Sequence, residues 1–177
     1  YYYMHPLDSL NDFTKKFARA LPVQRKFLCR NCSRNITYID TALTQVYQTY
    51  KEYDFENYYE RMQNLLRDRD ITVVCGEGVL ERLEYRALDV CHSVNYIYAP
   101  SMNAYTKYDD ILRQILSTDK KRLVCVVLGP TAKILVSDLA KAGYQAWDMG
   151  HYFKDYDAYL RKRPRTGEEI AKFYQPD

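Results

Sequence analysis

Four short stretches of this chain carry residue types suited to a phosphorylated ligand: Gly76-Glu77-Gly78, Pro100 to Ala104, Gly129-Pro130-Thr131 and Asp148 to His151. Glycines let a backbone approach phosphate oxygens closely. Thr131 offers a hydroxyl and an amide where a helix would begin, and helix starts favour anions. Glu77 is a carboxylate for the substrate or a cation, and Asp148 one for a ribose or sugar hydroxyl. Asn103 presents an amide to a base or sugar, and His151 an imidazole to a metal or phosphate. Arg34 has the fork geometry that pairs with phosphate. Any one of these loops is better explained by glycine and proline ending a strand. Four of them on one rim argue instead for a cleft that fits a nucleotide diphosphate.

The elements that would gather them follow from periodicity. Leu123 to Leu128 is apolar without alternation, as in a parallel strand covered on both faces. Ala132, Leu135, Leu139 and Ala142 then form one helical stripe, with Thr131 as its cap and Gly143 at its end. A second strand ends at Asp148-Met149, which completes a right-handed βαβ unit. Upstream, Ile71 to Cys75 and Asn95 to Ala99 read as strands. Leu80, Leu83, Ala87 and Val90 mark a helix between them, and Tyr108, Ile111, Leu112, Ile115 and Leu116 another. Four parallel strands point the same way, so their carboxyl ends, where such sheets bind ligands, share an edge. Before Asp70 the pattern is helical: Leu10, Phe13 and Phe17; Ile39, Leu43, Val46, Tyr47 and Tyr50; Phe55, Tyr59, Met62 and Leu66. An extra strand is expected at Phe27 to Cys29.

Composition narrows the alternatives. With 26 basic and 23 acidic residues the net charge is +3, too mild for a nucleic-acid binder, and the cluster at Arg161-Lys162-Arg163-Pro164-Arg165 reads as a solvated tail. The five cysteines are scattered, and Cys75 and Cys125 fall inside apolar strands, as buried thiols of a reducing cytoplasm would. Cys29 and Cys32 have C-x-x-C spacing but no second pair to make a zinc site. No apolar run reaches membrane-span length. Neither G-x-G-x-x-G nor a P-loop is present, which disfavours a dinucleotide dehydrogenase or a P-loop kinase. The opening Tyr1-Tyr2-Tyr3-Met4 is unlike a native amino terminus, so a longer parent protein is expected.

Gly76-Glu77, then Pro100-Ser101-Met102-Asn103-Ala104-Tyr105 with Tyr108-Asp109-Asp110-Ile111-Leu112, then Leu128-Gly129-Pro130-Thr131-Ala132 through Gly150-His151, resemble the carboxy-terminal half of the bacterial GT-D type glycosyltransferases. The likeness covers about residues 70 to 157; further upstream, Cys32-Ser33-Arg34-Asn35 resembles the family's Ser-Arg element. It implies a transferase that moves a hexose from UDP-hexose to a glycan, glycoprotein or lipid-linked acceptor, assisted by a divalent cation, manganese, and a D-x-E motif. Glu77 and Asp155 would then be catalytic, His151, Asp155 and Asp157 would face the metal, and the diphosphate would meet Gly76, Gly78, Asn103, Gly129, Pro130, Thr131, Asp148 and Arg34. The family's Arg-Phe-Gly-Asp-Gly-Glu signature is absent. Where the family reads Ile-Asp-Ile-Glu after Gly-His, this chain has Tyr152-Phe153-Lys154-Asp155, so an aspartate has become Phe153. A literal D-x-E at Asp54-Phe55-Glu56 lies in a helical stretch without flanking glycines and is not expected to be a ligand pair.

The expected architecture is one α/β domain over 1–177. It comprises a mainly helical amino-terminal portion (1–69), a Rossmann-like parallel sheet with flanking helices that binds the nucleotide sugar (70–160) and a basic tail (161–177). Two other readings stay open: a non-catalytic nucleotide-sugar binder or accessory subunit, and a Rossmann-type small-molecule hydrolase.

Overall fold

A computed structural model describes residues 12–33, 35, 37, 41–50 and 53–162. The chain divides into two compact units, Thr41–Pro164 and a second made of Tyr1–Asp40 with Arg165–Asp177. In the second, α1 (Asp12–Asn31) is a continuous helix with Pro22 inside it. Phe27 to Cys29 belong to that helix and form no strand, because the Lys-, Arg- and Ala-rich residues around them outweigh three apolar positions in a row.

The Thr41–Pro164 unit is built on four parallel strands: β1 (Asp70–Gly76), β2 (Ser93–Ala99), β3 (Leu123–Val127) and β4 (Ala146–Asp148), in the order β2-β1-β3-β4. Ile71 through Gly76 are all buried, which is why that run shows no polar alternation. Side chains of successive residues take opposite faces of the sheet. Ile71, Val73, Cys75, Leu123 and Cys125 pack on α3 (Phe55–Leu66) and α6 (Tyr152–Leu160) through Tyr59, Leu66, Tyr152 and Phe153. Val74, Val124, Val126 and Ile97 pack on α4 (Tyr108–Leu116) and α5 (Pro130–Lys141) through Ile111, Ile115, Ala132, Leu135 and Leu139. Each fully buried leucine or isoleucine here contributes about 1.5–3 kcal/mol. A short helix, α2 (Val46–Thr49), adds Val46 to the first of these cores.

The βαβ unit forms as its periodicity predicts, including the stop at Gly143, with one local difference at the start of its helix. At the end of α5 Gly143 donates to the Ala140 carbonyl and Tyr144 to that of Leu139, a Schellman closure. At its start the cap is Gly129, Pro130 occupies the first turn, and Thr131 is buried within the helix rather than capping it. The segment between β1 and β2 departs further. It is a run of turns ending in a single 3-10 turn at Ala87–Val90, where the apolar spacing predicts a helix. Asp157 of α6 accepts from the amides of Glu84 and Tyr85 at 3.0 and 2.9 Å, and Gln63 of α3 donates to the Ala87 carbonyl at 3.1 Å. These long-range partners satisfy backbone groups that a helix would have paired internally.

At the amino ends of the strands, Arg122 ties β1 to β2 by donating to the Ile71 carbonyl at 2.6 Å and to the Ser93 hydroxyl at 2.9 Å. Beside it, Asp70 accepts from Ser93 and lies 2.8 Å from His92 Nδ1. The Ser93 and His92 hydrogen bonds hold the Asp70 carboxyl below its ordinary value of 3.8, and the Asp70 contact raises His92 above 6.5. The Asp70 contribution is therefore present above 3.8 and fades as pH falls. The His92 contribution is full below 6.5 and fades as pH rises through the folded value. A proton NMR titration of the His92 ring is expected to give a midpoint above 6.5 that Asp70→Asn moves back toward it; a wild-type midpoint at or below 6.5 would refute the pairing.

Among the described residues, no helix is long and apolar enough to cross a membrane.

Candidate functional site

Register places the strand ends together: Gly76 beside Ala99, Cys75 beside Val127, and Val126 beside Asp148. The loops after all four strands therefore emerge along one edge of the sheet. Chain order reverses between β1 and β3, so the loop after β1 runs toward β2 while the one after β3 leads into α5 and on to β4. In parallel sheets that divergence is where ligands commonly bind.

Two glycines shape this edge. A Cβ on Gly76 would meet Ser101 Cα at 2.8 Å, so glycine is what lets the loops after β1 and β2 touch. Gly76→Ala is expected to cost about 1–3 kcal/mol by forcing those backbones apart, seen as a lower urea midpoint with an unchanged slope; an unaltered midpoint would mean the loops yield freely. Gly129 has φ +51° and ψ −135°, a combination that glycine alone adopts readily. Among the described residues, beyond its chain neighbours, no atom lies within 4 Å of where its Cβ would be, which leaves the backbone at the head of α5 open to an approaching group.

The open groove beyond β1 and β2 is lined by Glu77, Gly78, Arg82, Pro100, Ser101 and Met102. Glu77 is exposed, and no hydrogen bond or ion pair within the described residues engages it. The Arg82 guanidinium lies against Gly78, 3.7 Å from the position of a Cβ there. Asn103, exposed and left-handed at φ 49°, starts the turn Ala104–Lys107, and its carbonyl accepts from Thr106. On the β4 side, Asp148 accepts the Gly150 amide at 3.0 Å, and Lys133 Nζ lies 3.5 Å from its other oxygen. His151 sits at the head of α6, its amide donating to Thr44 at 3.4 Å.

Arg82 and Lys133 are rim residues that the sequence pattern did not single out. Arg82 was obscured because it fell on the outside of a helix that does not form. Arg34 lies outside the described residues.

The acidic pair on α6 is turned inward. Asp155 is fully buried and accepts four hydrogen bonds: Tyr59 hydroxyl at 2.6 Å, Gln48 Nε2 at 2.7 Å, and the amides of Tyr47 and Gln48 at 3.0 and 3.3 Å. Asp157, also buried, holds the Glu84 and Tyr85 amides and pairs with Arg161 at 3.0 Å. Two residues apart on a helix, their directions differ by about 200°, so one carboxylate reaches α2 while the other reaches the loop after β1. The expected set of His151, Asp155 and Asp157 is not assembled as a metal site: among the described residues no three His, Cys, Asp or Glu side chains are grouped to hold an ion. Asp54 of the literal D-x-E caps α3, accepting the Asn57 amide at 3.2 Å.

Comparison with known proteins places the whole fold. The family model described as "Glycosyltransferase GT-D fold" matches residues 2–172. The chain is 35% identical over 100 residues to a probable glycosyl transferase, Gly, of Streptococcus gordonii, covering 56% of this chain and 15% of that protein. It is 29% identical over 99 residues to the glycosyltransferase GlyD of Streptococcus pneumoniae, covering 56% of this chain and 12% of that protein. A solved structure described as the highly conserved domain of unknown function 1792, with a distinct glycosyltransferase fold, superimposes with a TM-score of 0.75 at 32% identity, covering 89% of this chain and 57% of that one. Another, described as a new glycosyltransferase of the same domain type from Streptococcus sanguinis, gives 0.76 at 26% identity, covering 91% of this chain and 61% of that one. The matched stretch is a small part of each curated relative and less than two thirds of each solved chain.

Proposed function

The chain belongs to the GT-D-fold glycosyltransferase family, and from that premise we propose that it transfers a hexose from a nucleotide sugar, UDP-hexose, to a glycan acceptor, on a glycoprotein or a lipid-linked precursor, in the cytoplasm. The observation that supports this reading is the shared rim, where the open glycine backbone at the head of α5 and the groove lined by Glu77, Gly78 and Arg82 follow the carboxyl ends of the neighbouring strands β3 and β1. Helix-start amides with Arg82 and Lys133 hold the diphosphate and stabilise the charge that grows on it as the sugar leaves. Glu77, exposed and without an internal partner, acts on the reacting sugar, and Asp148 and Asn103 orient ribose, base or sugar. Asp155 and Asp157 support the site from behind by fixing α2 and the loop after β1. Free thiols at Cys75 and Cys125, both buried, suit a reducing compartment.

The family resemblance implies a divalent cation, manganese. The described residues offer Glu77 and Asp148 at the rim but no three-ligand group, so they do not by themselves fit such an ion, and no step is routed through it. A second reading, a nucleotide-sugar binder without turnover, draws on Phe153, a buried phenylalanine where the family has an aspartate.

Titrating UDP into isotope-labelled protein tests the donor site. The amides of Gly78, Gly129 and Lys133 are expected to shift together and to weaken with added salt. Shifts confined to other faces, or none, would overturn the assignment. Release of UDP from UDP-hexose, measured with and without manganese, separates the enzyme from the binder.

A further inference from the structure

Next to the donor groove lies a second, more enclosed cavity of about 250 Å³, between the loop after β1 and the outer strand β2. Its floor is apolar: Leu80, Leu83 and Phe153, the last of these only 2% exposed. One wall is aromatic, formed by Tyr96 and Tyr98, whose rings lie 5.7 Å apart and within 8° of parallel. At its mouth stand Glu81 and Arg86. We propose that this cavity takes a single pyranose unit, the terminal sugar of the acceptor glycan; this rests on the glycosyltransferase reading given above.

Size, chemistry and position support that occupant. The volume falls below the roughly 300–1,000 Å³ of pockets for drug-sized ligands and suits one ring rather than a chain. A pyranose has a C–H face that packs on aromatic rings and a periphery of hydroxyls that both donate and accept. Glu81, kept ionised by the Tyr98 hydroxyl, offers acceptor oxygens, and Arg86 offers donors. A wholly apolar ligand would strip water from those charges without replacing it, and a phosphorylated one would meet Glu81 and Asp89 as like charges. The cavity and the donor groove are also lined by adjoining stretches of chain. Leu80 and Glu81 follow Gly78 in one loop, and Tyr98 precedes Ala99, which lines the groove itself.

The walls are fixed before any ligand arrives. Asp157 holds the amides of Glu84 and Tyr85, Gln63 holds the carbonyl of Ala87, and the Leu80 amide donates to Glu81 at 3.1 Å. Little ordering remains to be done on binding. Phe153, the residue that departs from the family's aspartate, is thereby given a place as the cavity's floor.

Saturation-transfer NMR with methyl glucoside, methyl galactoside and N-acetylglucosamine tests the proposal, with UDP as a separate probe of the donor groove. At least one of the three sugars is expected to receive saturation at its ring protons. Tyr98→Ala and Glu81→Gln, both surface changes, are each expected to weaken that binding at least tenfold, with UDP still bound, while Tyr98→Phe keeps most of it. If none of the three sugars binds the wild-type protein, or binding persists unchanged in Tyr98→Ala and Glu81→Gln, the cavity is not a sugar site, whatever UDP does. Sugar binding lost in those variants, with UDP failing to bind the wild type, would remove the donor assignment and leave this one standing.

Discussion

Replacing Asp155 with alanine is expected to destabilise the Thr41–Pro164 unit by about 3–5 kcal/mol, the range seen when one partner of a buried charged network is removed. The carboxylate is fully buried, and four donors converge on it from α2 and α3. Alanine leaves the Tyr59 hydroxyl, the Gln48 amide group and two backbone amides without an acceptor in a site closed to water, and each such loss is costly. Tyr59→Phe removes one donor and is expected to cost less, about 1.5–3 kcal/mol. Burial, and secondarily Asp155, push the Tyr59 phenol far above its ordinary range, so it remains a donor at any pH of practical interest. Urea unfolding of the two single variants and the double variant measures the coupling. Melting of Asp155→Ala indistinguishable from wild type would show that this carboxylate does not anchor α2 to α6.

Glu77→Gln is expected to show the opposite division: turnover down by about 10²-fold or more, the usual contribution of a positioned acid or base, with stability within about 0.5 kcal/mol of wild type, as for most surface changes. Glu77 is exposed and contributes no pairing that folding would lose. The literal D-x-E supplies the contrast. Asp54→Ala should lose about 1 kcal/mol through the cap of α3 and leave turnover within about twofold. UDP release from UDP-hexose together with chemical denaturation reads both. Full activity in Glu77→Gln would move the reacting carboxylate elsewhere; a large activity loss in Asp54→Ala would restore the motif that its capping role argues against.

Much of the sheet was legible before any coordinates. The β-branched run after Ile71, the unbroken apolar run after Leu123, the stripe of Ala132, Leu135 and Leu139, and the stop at Gly143 are signals written within a few turns of chain, and neighbours in sequence answer them. So was the gathering of loop tips on one edge, because parallel strands allow nothing else. The reach of that local logic ended at the loop after β1. Leu80, Leu83, Ala87 and Val90 have helical spacing, yet the backbone there answers to Asp157 and Gln63, which lie far off in sequence.

The α6 carboxylates mark the same boundary. Sequence places Asp155 and Asp157 two residues apart beside a histidine, the look of a ligand set. What it does not state is which way a helix turns them once Tyr152 and Phe153 are buried against the sheet. The amino-acid order alone thus determined strands, their common direction and the rim they share, since those depend on short-range periodicity. Only the tertiary packing decided which carboxylates stay exposed at the rim and which are consumed inside, because burying the aromatic face of α6 fixes its rotation and carries both aspartates inward with it.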